Sequence, residues 1–96
     1  ETRLVEYAIA VADELSFTRA AQRVYAAQST VSAGVRALER ELGTALFERD
    51  QRGVRITAAG EAVLPALRAL ADAEARARTA ADPRGELRGA LRIGVF

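Results

Sequence analysis

The stretch from Ala27 to Gly43 constrains the fold more than any other part of the chain. Its larger apolar residues recur at i, i+4, i+7 and i+11: Val31, Val35, Leu38 and Leu42. This spacing places them on one stripe of an α-helix. The opposite side carries hydrogen-bonding and cationic side chains: Gln28, Ser29, Ser32, Arg36 and Arg40. The pattern predicts a helix that packs on the protein along one side and is exposed along the other.

Two interpretations fit the exposed side of this helix. Gln and Arg pair bidentately with base edges in the major groove of DNA, and Ser reaches bases or phosphates. An ordinary amphipathic helix with a solvated face has the same pattern. The helix alone does not decide between them.

Composition narrows the classes of function. Half of the 96 residues are apolar and few are aromatic, which favours one small domain of close-packed helices. The chain has no Cys and no His, which removes thiol nucleophiles, Ser-His-Asp arrangements and the usual zinc sites. We therefore expect no enzyme, no metal and no cofactor. No apolar run approaches the roughly 20 residues of a membrane span, and we expect a cytoplasmic protein.

The net charge of +1 conceals an uneven distribution. Residues 16–57 carry seven arginines against four acids, whereas residues 1–15 carry one arginine against four acids. Positive charge is thus gathered where a nucleic-acid surface would need it. Every basic residue is Arg, which favours phosphate and guanine contacts, although a genome rich in G and C produces the same bias.

The segments before the central helix complete a helix-turn-helix pattern. A first helix is predicted over residues 2–14, with an apolar side that extends to Leu15. Ser16 is placed to cap a short second helix, and residues 25–27 make a tight connection into the central helix. Polar residues at the start of the second helix can hold a phosphate, or can act only as a cap and a solvated arginine: Ser16, Thr18 and Arg19.

A basic hairpin is predicted after Gly43, which ends the central helix. Residues 46–49 and 54–57 are short apolar-and-polar runs joined by a turn over residues 50–53. We expect three arginines to project outward from it: Arg49, Arg52 and Arg55. Such a hairpin beside a helix-turn-helix forms a wing that reaches the DNA backbone or minor groove. Each arginine taken singly also fits a solvated side chain.

A long helix is predicted over residues 58–82, capped by Thr57 and bent, not ended, at Pro65. A helix of this length cannot bury both flanks against so small a domain. The same helix from a second copy, packed antiparallel, is the simplest partner, and a solvated single helix is the alternative. We assign dimerisation to apolar residues of this helix: Val63, Leu64, Leu67, Leu70, Ala71 and Ala77.

Three segments in unbroken order resemble the amino-terminal domain of LysR-type transcriptional regulators: ELSFTRAAQRV, AQSTVSAGVRALERELGTALFER and GVRITAAGEAVLP. The tail LRIGVF resembles the first strand of that family's effector-binding domain. The resemblance implies a mainly α fold with a small β-hairpin. It divides the chain into a winged helix-turn-helix over 1–57, a dimerisation helix over 58–82, and a hinge with the first strand of an absent domain over 83–96.

The resemblance also implies sequence-specific binding to double-stranded DNA at an interrupted promoter dyad. The binding unit would be a homodimer, or a tetramer in the intact regulator. A small-molecule effector would act through the absent domain, and RNA polymerase would be a further partner. A winged-helix module that binds an acidic protein instead of DNA is the alternative.

The resemblance assigns DNA contacts to three places. At the start of the second helix they are Ser16, Thr18 and Arg19; on the recognition helix Gln28, Ser29, Thr30, Ser32 and Arg36; on the wing and the cap after it Arg49, Arg52, Arg55 and Thr57. Family members often carry Pro in place of Ser29, and Arg then Gln in place of Ala33 and Gly34. Two side chains are then missing from the reading surface, and we expect more of the specificity to come from DNA shape.

Overall fold

Four helices and one antiparallel hairpin make up the part of the chain that the structure, a computed structural model, describes, residues 2–82. In chain order they are α1 (Thr2–Glu14), α2 (Phe17–Arg23), α3 (Gln28–Leu42), β1 (Phe47–Asp50), β2 (Gly53–Ile56) and α4 (Ala58–Ala81). This is the mainly helical fold with a small hairpin that the sequence predicts. The hinge and strand predicted over residues 83–96 lie outside the described residues. No helix within residues 2–82 is long and apolar enough to cross a lipid bilayer.

Local capping sets the ends of the helices where the sequence predicts them. The backbone N–H of Arg19 donates to Ser16 Oγ at 3.1 Å, and that of Gly60 donates to Thr57 Oγ1 at 2.9 Å. Gly43 has a φ of 75°, which glycine adopts at little cost, and it ends α3. The α4 helix continues through Pro65, so the prediction that this proline does not stop the helix is confirmed.

The core forms where α1 packs against α2, α3 and α4. The predicted α3 stripe is buried there, with Val31 at 0% and Val35 at 2% exposure. At the crossing of α1 and α3, a Cβ on Gly34 would lie 2.6 Å from the ring of Tyr7. Gly34 is therefore a buried packing residue. The prediction that it leaves a gap in the reading surface is wrong, because the position faces Tyr7 and not solvent.

The apolar stripes predicted for α1 and α3 each include one residue too many at the C-terminal end. Leu15 and Leu42 are 47% and 42% exposed, because each lies at a helix end that the core does not cover. Leu15 has a φ of 50°, and this left-handed residue turns the chain from α1 into α2.

The start of α4 is docked on the segment that leads into the hairpin. The backbone N–H of Thr57 donates to the carbonyl of Leu46 at 3.0 Å, and Thr57 Oγ1 donates to the carbonyl of Ala45 at 2.7 Å. A Cβ on Gly60 would overlap that same Leu46 carbonyl. Only glycine fits this approach without displacing the backbone of one of the two elements.

The apolar residues of α4 divide between two sides of the helix. Leu64 and Leu67 are 5% and 6% exposed in the core of their own chain, so the prediction that they contact a second copy is wrong. Val63 and Ala71 pack partly buried against the same core. The helix turns by about 100° per residue, so a stripe this broad cannot face one neighbour. Leu70 at 56% exposure and the exposed Ala77 lie away from the core.

One carboxylate joins three helices. Asp13 of α1 accepts hydrogen bonds from Arg68 of α4 at 2.6 Å and from Arg23 of α2 at 2.9 Å. The Arg68 guanidinium, followed by Arg23, lowers the pKa of Asp13, and partial desolvation opposes this shift. The cluster ties the helix-turn-helix to the long α4 helix.

We predict that Asp13→Asn destabilises the fold at neutral pH and not in acid. Since the pKa of Asp13 is lowered on folding, its carboxylate stabilises the protein above the unfolded pKa of about 4 and loses this effect as the pH falls through the folded value. At neutral pH the free energy of unfolding should fall by about 0.5–1 kcal/mol, a small amount because the arginine partners of Asp13 are solvent-exposed. Urea unfolding of both proteins across this pH range checks it. A difference that persists in acid would exclude the charge as its source.

Candidate nucleic-acid interface

The start of α2, the α3 helix and the hairpin share one surface of the molecule. A cleft of about 310 Å³ is lined by residues of all three, among them Ser16, Gln28 and Gly53. A neighbouring cleft of about 260 Å³ lies between Phe17, the middle of α3 and the first strand. The three places to which the sequence assigns DNA contacts are thus adjacent in space.

The first turns of α3 lie open to solvent on this surface. Apart from Ser32, the α3 side chains predicted to read DNA are exposed: Gln28, Ser29, Thr30 and Arg36. Thr18 Oγ1 donates to Gln28 Oε1 at 3.3 Å, which links the start of α2 to the start of α3. Within residues 2–82, the guanidinium of Arg36 makes no hydrogen bond or ion pair.

The exception is Ser32, which is only 8% exposed. Its Oγ accepts a hydrogen bond of 2.8 Å from Arg49 Nη2. The prediction that Ser32 lies on the exposed side of α3 is wrong, because the Arg49 side chain from the first strand of the hairpin reaches this turn of the helix.

Arg49 is exposed, but its guanidinium is held against the protein and does not project freely outward as predicted. Its guanidinium carbon lies 3.6 Å from the centroid of the Phe17 ring, a cation–π contact. Side chains two residues apart on a strand share a face, so Arg49 lies on the same side of β1 as the buried Phe47, whose ring meets Phe17 edge to face at 6.2 Å. Arg49 therefore belongs to the inner face of the hairpin.

The other two hairpin arginines differ from each other. Arg55 is exposed but forms ion pairs with Asp50 at 2.9 Å and Glu48 at 3.8 Å. At the turn, the backbone N–H of Arg52 donates to Asp50 Oδ1 at 2.8 Å, and Gly53 has a φ of 123°. Within the described residues the guanidinium of Arg52 has no partner. Arg52 is therefore the unpaired charge at the tip of the wing.

Three further residues predicted to contact DNA form hydrogen bonds within the protein itself. The hydroxyls of Ser16 and Thr57 cap helices. Arg19 folds back on the end of α1, where Nη2 donates to the carbonyl of Glu14 at 3.0 Å and Nε lies 3.7 Å from its carboxylate. Its side chain remains 64% exposed.

Glu39 is a residue of this site that the sequence interpretation missed. Its Oε2 accepts hydrogen bonds from the backbone N–H groups of Leu46 at 2.7 Å and Phe47 at 3.3 Å. It thereby fixes the base of the hairpin to α3. A signal was present, since Glu39 falls four residues after Val35, beside the buried stripe, where a carboxylate needs hydrogen-bond donors.

Residues 2–61 match the family model described as bacterial regulatory helix-turn-helix protein, lysR family. The chain belongs to the lysR family. This LysR-type chain is 47% identical over 95 residues to the transcriptional regulator ShiR of Corynebacterium glutamicum, covering 98% of the chain and 32% of ShiR. It is 42% identical over 98 residues to the regulator ClcR of Pseudomonas putida, covering 100% of the chain and 33% of ClcR. The chain thus spans about a third of the length of these relatives.

Two solved structures of DNA complexes share the fold of this LysR-type chain. The DNA-binding domain of CbnR with DNA is 37% identical, has a TM-score of 0.74, and is matched over 99% of its length and 85% of this chain. The DNA-binding domain of BenM with catB site 1 DNA is 33% identical, has a TM-score of 0.78, and is matched over 91% of its length and 84% of this chain. The chain has the winged helix-turn-helix fold that the resemblance implies, and both ShiR and ClcR are named as transcriptional regulators.

We predict that Glu39→Gln destabilises this LysR-type domain by about 1–2 kcal/mol, because the neutral amide oxygen that replaces the carboxylate makes weaker hydrogen bonds to the two backbone N–H groups. Urea unfolding provides the measurement. The matched control is Glu41→Gln, which removes the same charge from an exposed position of the same helix. Equal stability of the two variants would contradict a role for Glu39 in holding the hairpin.

Proposed function

We propose that this domain binds double-stranded DNA sequence-specifically with α3 in the major groove and the wing on the backbone or in the adjacent minor groove. The observation that carries the proposal is the exposure of Gln28, Ser29 and Arg36 on α3, side chains that the protein does not bury in its own core. An α-helix fits the width of the major groove, where Gln and Arg have bidentate partners. The likeness to two domains solved with DNA supports DNA binding by this fold.

The contacts divide between base edges and phosphates. We assign base contacts to Gln28, Ser29 and Arg36, which are exposed along one side of α3. Thr30 and Thr18 lie beside them and suit phosphate contacts. Arg52 is the wing residue free to reach the backbone or the minor groove, and Arg19 can swing towards a phosphate from its exposed pair with Glu14.

The domain acts as a homodimer in this proposal, joined through the side of α4 that faces away from the core. Leu70 and Ala77 lie on that side, and a two-fold interface between α4 helices would cover them. Two reading heads then meet an interrupted dyad whose half-sites are about 10 bp, or a multiple of that, apart.

The intact regulator extends this arrangement. We assign residues 1–57 to the winged helix-turn-helix, residues 58–82 to the dimerisation helix, and residues 83–96 to the hinge and first strand of an effector-binding domain. A small-molecule effector, a tetrameric state, contact with RNA polymerase and a cytoplasmic location belong to the same proposal.

Salt dependence tests DNA binding directly. We expect the logarithm of the duplex binding constant to fall linearly with the logarithm of the salt concentration, and Arg52→Ala to reduce the slope by about one unit, because one phosphate contact is lost. Fluorescence anisotropy with a labelled duplex measures both slopes. A winged-helix module that binds an acidic protein would bind no duplex, and that result would refute the proposal.

We further predict that Arg36→Ala relaxes sequence discrimination, at a cost of about 1–3 kcal/mol on the preferred site relative to random duplex. The preferred site is first selected from a randomised duplex pool with the wild-type protein. Arg40→Ala is the matched control, since Arg40 is also exposed on α3 and lies one turn closer to the end of the helix. If Arg36→Ala keeps the wild-type affinity ratio, Arg36 does not read bases.

A further inference from the structure

We propose that Arg49 is a positioning residue: it fixes the angle between the hairpin and α3 and makes no contact with DNA itself. This inference rests on the proposed DNA binding and reassigns one of its predicted contacts. The residue carries a full positive charge within the interface, so a phosphate contact is the obvious alternative.

Arg49 of the hairpin contacts both other elements of the interface, α2 and α3. Its guanidinium lies over the Phe17 ring of α2 at 3.6 Å, and its Nη2 donates to Ser32 Oγ of α3 at 2.8 Å. Ser32 is 8% exposed and Phe17 is 6% exposed, so both partners are fixed by the core. A side chain with one face on a buried ring and one N–H on a buried hydroxyl has its orientation set by the protein.

The alternative partners of Arg49 are directed away from it. The acids that flank it, Glu48 and Asp50, lie on the opposite face of the strand and pair with Arg55. Within residues 2–82 no carboxylate lies within ion-pair distance of Arg49. Its charge is met by the Phe17 ring and a hydroxyl, and a planar guanidinium stacks on the ring while it donates in its own plane, a geometry that an ammonium group does not reproduce.

The hairpin needs an anchor at this point. Its two strands have four residues each, and an isolated two-stranded hairpin of this kind is marginally stable in water. Glu39 holds only its base, at Leu46 and Phe47. Arg49 lies further towards the turn and lines both surface clefts of the interface. Together with Val54, its partner on β2 that packs partly buried against the core, it holds the outer half of the hairpin, and with it Arg52, beside α3.

The test measures the salt slope of duplex binding for wild type, Arg49→Ala, Arg52→Ala and the double variant. If Arg49 positions the wing, Arg49→Ala displaces Arg52 and loses the same phosphate contact. We expect each single variant to lower the slope by about one unit, and the double variant to lower it by about one unit as well. Arg49→Lys keeps the charge but not the geometry, and should also lose about one unit.

Three results would overturn the inference. A loss of about two units in the double variant would mean that Arg49 contacts a phosphate independently. An unchanged slope in Arg49→Ala would mean that it has no positioning role, and a wild-type slope in Arg49→Lys would mean that charge alone suffices. Circular dichroism establishes that each variant is folded, and Arg49→Lys provides the milder substitution if Arg49→Ala does not fold. Failure of the proposed function is seen separately, as absence of salt-dependent duplex binding by the wild type.

Discussion

The burial of one side of α3 against α1 is the interaction on which the rest of the structure depends. Val31, Val35 and Leu38 are buried along this contact, and Gly34 allows the two helices to approach closely. Burial of a Val or Leu side chain contributes about 1.5–3 kcal/mol, so this contact alone accounts for much of the stability of a small domain. The exposed residues on the opposite side of α3, such as Ser29, Arg36 and Arg40, are therefore not needed for this contact. Their side chains are free to serve recognition.

The arginines of residues 16–57 fall into two groups, those with partners in the protein and those without. Arg19, Arg23, Arg49 and Arg55 are each held by groups of the protein itself. Arg36, Arg40 and Arg52 have no such partner within residues 2–82. An arginine whose charge is already met by groups of the protein releases fewer counterions on binding DNA than an arginine without such a partner. The excess of positive charge in this region thus overstates the number of arginines available to a nucleic acid.

Much of the fold was predictable because it follows from local rules. The caps at Ser16 and Thr57 and the end of α3 at Gly43 depend on residues within one helical turn of each other. The stripe of α3 depends on spacing alone. The same rules located the hairpin and the long α4 helix, and the family resemblance is confirmed by the family model that matches residues 2–61.

The errors arise where a residue's environment depends on another element. Ser32 and Arg49 are separated by 17 positions in the chain, and no periodicity indicates that one covers the other. Leu64 and Leu67 satisfy the stripe expected of a dimer helix, yet α1 of the same chain is the neighbour that buries them. Spacing identifies which residues need a partner. It does not identify which surface provides that partner.

The attachment of α4 to the remainder of the domain has a mechanical consequence. Asp13 accepts hydrogen bonds from Arg68 of α4 and Arg23 of α2. The backbone at Gly60 packs closely against the Leu46 carbonyl, just before the hairpin. A helix of 24 residues extends about 36 Å, and with both attachments in its first half its second half behaves as a stiff lever. Rotation applied at the far end then turns the whole head as a single body. In the proposed homodimer this changes the spacing between the two heads, while the surface that each presents to DNA keeps its shape.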